Sequence, residues 1–517
     1  MANLFFEQPI LNSPYERPQQ HWELDPQGQP TQKIVGERRR AKFITPIPQP
    51  KKRKAGDEQK QMVLGEGQGI STEQQQYDIT PIINELRQHV DQWRTLPPSQ
   101  WQVTPETARL LQHWRSHRFS GVRPFFCQVE AVETAIWLAE VAPQMGRQGR
   151  TFLSHLENAN AAANPGLSRL ALKLATGAGK TTVMAMIIAW QTVNAVRRPN
   201  SRNFSRGFLL VAPGLTIRDR LRVLLPSDPN SYYDKREIVP PDMLDDIKRA
   251  RIVITNYHAF KLRERIDIAS GTRALLKGRT GDDLDTLESE GQMLQRVMPE
   301  LMGMKGIIVL NDEAHHCYRE KPRDPNAAAD VAGSGEAEQL KGDDRKEAER
   351  NNETARLWIS GLEAVQRTLG VARVFDLSAT PFFLRGSGYN EGTLFTWTMS
   401  DFSLMDAIEC GIVKLPRVPV ADNVTTSATG SELPMFRDLW AHIRKDMPRS
   451  GKGKAGELDP GKLPTKLETA LEALYGHYAK TFALWRDAGI AVLHHRLPKY
   501  LHLQAGLRFH LGLSPQV

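Results

Sequence analysis

The stretch ATGAGKTT, residues 175–182, constrains this chain more than any other. It follows an apolar run, RLALKL (169–174), and leads into a helical one, VMAMIIAWQTV. A strand that turns on glycines and runs straight into a helix gathers several backbone N–H groups around one concavity, and the positive end of the helix dipole adds to their pull on an anion. Gly177 and Gly179 permit the tight turn, and Thr176, Ala178 and Thr182 complete its main chain. Lys180 is placed to reach the outer phosphates of a triphosphate, and the Thr181 hydroxyl to ligate Mg²⁺. The loop departs from the commonest pattern at its first position, where Leu174 stands in place of glycine.

Four more short apolar runs follow at intervals: GFLLVA (207–212), RIVIT (251–255), GIIVLN (306–311) and RVFDLS (373–378). Near-continuous apolar strands separated by helical stretches predict an α/β domain, a parallel sheet with helices on both faces. Ligands in such sheets bind at the carboxyl ends of the strands. Asp312 and Glu313 of LNDEAHHCYRE emerge there, Asp312 suited to hold Mg²⁺ and Glu313 to orient and deprotonate an attacking water. A zinc site at His315, His316 and Cys317 is disfavoured, because adjacent loop side chains rarely converge on one ion and no second ligand cluster follows. LSATP (377–381) ends another strand, and its Ser378 and Thr380 are placed to bond to His315 and couple the two loops.

The remaining segments are less informative. Residues 1–75, rich in Pro, Gln and charge, read as a partly disordered arm whose ERRR and KKRK runs suit either nucleic acid phosphates or a solvated linker. Residues 76–118 read as a small helical element and 119–385 as the sheet domain, interrupted by charged stretches at 262–300 and 320–353. Residues 386–490 read as a connector and a charged helical region. The net charge of +9 permits a polyanionic partner without requiring one. Three cysteines without CxxC spacing fit a reducing cytoplasm, and no apolar run is long enough to span a membrane.

In order, ATGAGKT, VAPGLTIRDRL (211–221), DEAH and SAT are the motifs I, Ia, II and III of superfamily 2 DEAD/DEAH-type helicases and translocases, which this chain therefore resembles. More closely it resembles the Res subunit of type III restriction endonucleases, through NSPYERPQQHWELDPQGQP near the start, RPFFCQVEAVETAIWL before motif I and SDFSLMDAIECGIVKLPRVP after motif III. The resemblance covers roughly residues 10–490. It implies a RecA-like P-loop NTPase domain that uses ATP and Mg²⁺ to translocate on DNA as part of a restriction enzyme, with a modification methyltransferase subunit as a partner. A stand-alone helicase on DNA or RNA, and an inactive ATP-binding fragment, are the alternatives. By position, Gln128 takes the adenine-recognising slot and Thr216 and Arg218 the contacts to the nucleic acid backbone, with TNYHAF (255–260) on the same surface.

The resemblance also implies a second RecA-like lobe with arginines facing the triphosphate, and no Q-x-x-G-R-x-x-R follows residue 381. The last 27 residues contain no acidic residue and are crowded with His, Leu and Arg. A one-base shift of suitable codons turns them into a strand-turn-helix opening. The expectation is a truncated, frameshifted C-terminal region (491–517) and slow hydrolysis.

Overall fold

The computed structural model describes residues 4–25, 28–42, 78–263, 287–321 and 343–415, with scattered residues between 439 and 483. The chain divides into two compact units, Met1–Lys414 and Leu415–Val517. In the second, the described residues include a helical stretch at 465–472 and a two-residue antiparallel pairing of Arg449–Ser450 with Glu457–Leu458. The 491–517 tail and its expected frameshift lie outside the described residues.

The first unit is built on a six-stranded parallel sheet. Its strands are β3 (Arg169–Leu174), β4 (Gly207–Ala212), β5 (Arg251–Asn256), β6 (Ile307–Asp312), β7 (Val371–Ser378) and β8 (Thr398–Phe402), in the order β5-β4-β6-β7-β3-β8. Every residue of β4 and β6 is buried, as expected of strands covered on both faces. Alternate residues serve opposite layers: Phe208, Leu210, Ile308 and Leu310 join one core, Leu209, Val211, Ile307 and Val309 the other.

The first core is closed by helices α2 (Thr80–Thr95), α3 (Pro105–Ser116), α4 (Phe126–Ile136), α5 (Gly146–Ala163) and α6 (Lys180–Arg197). Helix α6 is apolar around its whole circumference and buried from Thr182 to Asn194, so it cannot lie on the surface. The second core is closed by the helix Asp343–Leu369, through Trp358, Leu362 and Val365, and by Tyr257 and Phe260. Between β4 and β5 run α7 (Leu215–Arg220), α8 (Tyr232–Lys235) and α9 (Leu244–Ile247).

Three sequence expectations need correction. Strand β8 lies within the stretch read as a connector, pairs in parallel with β3, and extends the sheet past residue 385. The DEAH strand ends one residue later than expected, so Asp312 belongs to β6. The N-terminal stretch is not simply an extended arm. It contains α1 (Leu4–Glu7) and an antiparallel pair, β1 (His21–Leu24) and β2 (Pro30–Val35). It is tied down by Leu11 and Asn12 N–H donating to Glu409 O and by Phe126 N–H donating to Pro14 O. ERRR lies in this folded part, whereas KKRK and residues 43–77 lie outside the described residues.

Candidate functional site

Strand β3 delivers the loop 175–179 to the carboxyl edge of the sheet. The loop is pinned by Ala175 N–H donating to Phe402 O at 2.9 Å and by Ala178 N–H donating to Ala175 O at 3.0 Å. Gly177 and Gly179 have φ of +88° and +84°, a region other residues enter only under strain. A Cβ on Gly179 would lie 2.2 Å from Gln128 Nε2, so space as well as conformation demands glycine there. Helix α6 begins at Lys180 with no side chain capping its N-terminus. Its first amides thus face outward without a protein side-chain acceptor, the arrangement that takes an oxyanion.

The DEAH loop meets this turn directly. Lys180 Nζ lies 2.8 Å from Glu313 Oε1. Glu313 itself sits in the left-handed region (φ 51°), and its N–H donates to Asp312 Oδ1 at 3.1 Å. Burial pushes the Asp312 carboxyl up to about 6, with Lys180 pulling it down and Glu313 adding to the rise. A buried carboxylate in this state gains from a cation, and Thr181, at the start of α6, supplies a hydroxyl of the kind that shares Mg²⁺ with such a group. The residues present therefore fit a triphosphate with one Mg²⁺: uncapped amides, Lys180, the Thr181 hydroxyl and Asp312.

The third loop closes behind them. His315 Nδ1 lies 3.0 Å from Ser378 Oγ, which also accepts from Thr380 N–H at 3.1 Å, and 3.6 Å from Glu313 Oε2. Burial, with His316 beside it, lowers His315 to about 4, so the ring is neutral at pH 7 and bonds as an imidazole. Burial pushes the Cys317 thiol up to about 12. Among the described residues no group of three or more His, Cys, Asp or Glu is placed to hold a metal ion.

Sequence reasoning missed what holds the DEAH strand in place. Arg169 and Asp376, both fully buried, pair at 2.8 Å between β3 and β7. Asp376 also accepts from Asn311 Nδ2 and Trp397 Nε1, each at 2.8 Å, and Arg169 donates to Cys317 O at 2.7 Å. Asn311 immediately precedes Asp312, so this network fixes the strand end and the turn beyond it. The available signal was an Asp inside the apolar run RVFDLS, with an Arg just ahead of LALKLA.

Gln128 departs from its expected setting. It is buried at the start of α4, its Oε1 accepting from Phe125 N–H at 3.0 Å and its Nε2 donating to Ala178 O at 2.8 Å. The amide grips the phosphate loop, so a base could use only its remaining donor and lone pair. Thr216 and Arg218 fall in α7, with side chains outside the described residues. In TNYHAF, Tyr257 and Phe260 are core residues, Tyr257 stacked 5.4 Å from Trp358, so only part of the segment faces outward.

A family model described as type III restriction enzyme, res subunit, matches residues 123–383, just over half of the chain. The matched span includes Gln128 and the loops that carry Lys180, Asp312, Glu313, His315, Ser378 and Thr380. No curated protein and no solved structure matches.

Proposed function

Since the chain belongs to the type III restriction enzyme res-subunit family, whose domain is helicase-like and ATP-dependent, we propose that its first unit binds ATP with Mg²⁺ and couples hydrolysis to movement along DNA. The observation that carries the nucleotide part is the 2.8 Å approach of Lys180 to Glu313 beside Asp312, which brings the phosphate loop and the acidic strand end into one site.

The loop amides and Lys180 hold the triphosphate, Lys180 leaving Glu313 for the outer phosphates. Thr181 and Asp312 would hold Mg²⁺, which when bound would supply positive charge to the phosphate oxygens. Glu313, released from Lys180, orients a water against the terminal phosphate and accepts its proton. Neutral His315, bonded to Ser378, passes the position of Glu313 to the loop that ends in Thr380. DNA is bound through its backbone, largely without regard to sequence, and the cleavage-coupled translocation of a type III enzyme, with a methyltransferase subunit as partner, rests on family membership alone. Among the described residues no helix is long and apolar enough to cross a membrane.

Nucleotide binding and phosphate release from MgATP, measured with and without duplex DNA for the wild type and Lys180→Ala, test the reading. It expects ATP binding that Lys180→Ala abolishes and slow turnover that DNA raises. A wild type that binds no more ATP than Lys180→Ala would refute the nucleotide reading, and turnover indifferent to DNA would refute the coupling.

A further inference from the structure

A second cation reaches the phosphate-loop helix from outside the recognised motifs. In SYYDKREIVP (231–240) Tyr232 and Arg236 stand four residues apart, the spacing that makes side chains neighbours on one helical turn. The Arg236 guanidinium carbon lies 3.8 Å from the Tyr232 ring centroid, and Nη1 donates to Thr182 Oγ1 at 3.2 Å. Thr182 is buried in the first turn of α6, and its hydroxyl oxygen is 3.7 Å from where a Cβ on Gly179 would be. Arg236 forms no ion pair among the described residues, whereas the neighbouring arginines Arg197 and Arg109 both pair with Asp242.

The backbone that aims it is over-determined. Glu237, the next residue, has φ 49°, a strained conformation that persists only where surroundings enforce it. Here α3 and the loop after it enforce it: Glu237 O is 2.6 Å from His113 Nε2, its carboxylate is 2.7 Å from His117 Nε2 and bonds to Ser120, and Trp114 Nε1 donates to Ile238 O at 2.8 Å. Strain held next to a charged, half-buried arginine directed at a phosphate loop has the form of a device for placing that charge.

A triphosphate on such a loop lies with its outer phosphates at the Lys and its inner ones along the amides that follow. Thr182 lies past Lys180 and Thr181, at the nucleoside end. We infer that Arg236, steadied by Tyr232 and Thr182, pairs with the α-phosphate of the bound nucleotide. The inference rests on the nucleotide reading above and adds to it the residue that recognises the inner phosphate.

Titration of the full chain with MgATP, MgADP and inorganic tripolyphosphate, for the wild type, Arg236→Gln, Arg236→Lys and Lys180→Ala, tests it. Arg236→Gln is expected to weaken all three ligands by a similar factor, about tenfold for one charge-assisted hydrogen bond. Arg236→Lys should restore part of the loss, and the melting temperature without ligand should not move. Equal affinities in the wild type and Arg236→Gln would overturn the inference. So would a loss seen with the nucleotides but not with tripolyphosphate, which would move Arg236 to the ribose or base. If Arg236→Gln does not fold, Thr182→Val, which removes the tether alone, decides the matter: several-fold weaker MgATP binding supports the inference and unchanged binding overturns it. A wild type that binds none of the ligands defeats the nucleotide reading itself.

Discussion

Glu313 is held in two unfavourable ways at once. Its left-handed backbone costs on the order of 1–3 kcal/mol, and its carboxylate is occupied by Lys180. Phosphate oxygens would replace Glu313 as the counter-charge of Lys180, so a nucleotide can displace the pair without leaving the ammonium unpaired. Glu313→Gln should therefore bind MgATP as tightly as the wild type, or a few-fold more tightly, while phosphate release falls roughly 100-fold or more as the base is lost. Parallel nucleotide titration and single-turnover hydrolysis check this, and weaker binding would mean that Glu313 does not compete with phosphate for Lys180. At this scale the sequence showed chemistry and hid support. Lys180, Asp312 and Glu313 announce themselves through spacing on a strand end. Arg169, Asp376 and Asn311 do not, because a charge in a strand reads as solvent-facing until its partner, more than 200 positions away, is brought beside it.

Helix α4 shows the same contrast between pattern and placement. It carries Glu130 and Glu133, both buried, which Arg38, Arg94 and Arg115 reach at 2.5–2.6 Å. Burial alone would raise the Glu130 carboxyl, but the charge and two hydrogen bonds of Arg38 hold it at about 2. A carboxyl depressed by folding stabilises the native state above its unfolded pKa, near 4.5, and that contribution is lost as pH falls toward 2. Glu130→Gln removes the carboxylate that Arg38 grips and leaves only the weaker influence of Asp406 and Asp91 to balance it, a loss of about 3 kcal/mol near neutrality. Denaturant titrations from pH 7 down to pH 2.5 should show that gap narrowing below pH 5, and a gap independent of pH would sink the assignment. Long apolar elements such as β4, β6 and α6 were legible because both faces need burial. Strand β8 was not, since TMSDF is short, half polar, and becomes a strand only by adding to the edge of β3.

Across the first unit, the N-terminal residues behave as structure although their composition resembles linker. The Trp22 ring is fully buried against Phe5, the residue's backbone N–H donates to Glu409 Oε1 at 3.0 Å, and Arg39 pairs with the same carboxylate. Burial pushes Glu409 up to about 7, with Arg39 opposing the rise. Replacing Trp22 with Ala should lower stability by about 3–5 kcal/mol, read as an earlier midpoint in chemical denaturation, whereas a solvated arm would give no change. Composition averages over a window, and one deeply inserted ring is invisible to it; the distance from Trp22 to Glu409 in sequence hides the rest.

Val413 lies near the end of this unit, its Cγ2 3.1 Å from where a side chain on Gly177 would begin. The last stretch of the first unit thus packs against the phosphate loop. A methyl group on Gly177 would press on Val413 as well as strain the loop backbone, so loop and chain end share one constraint.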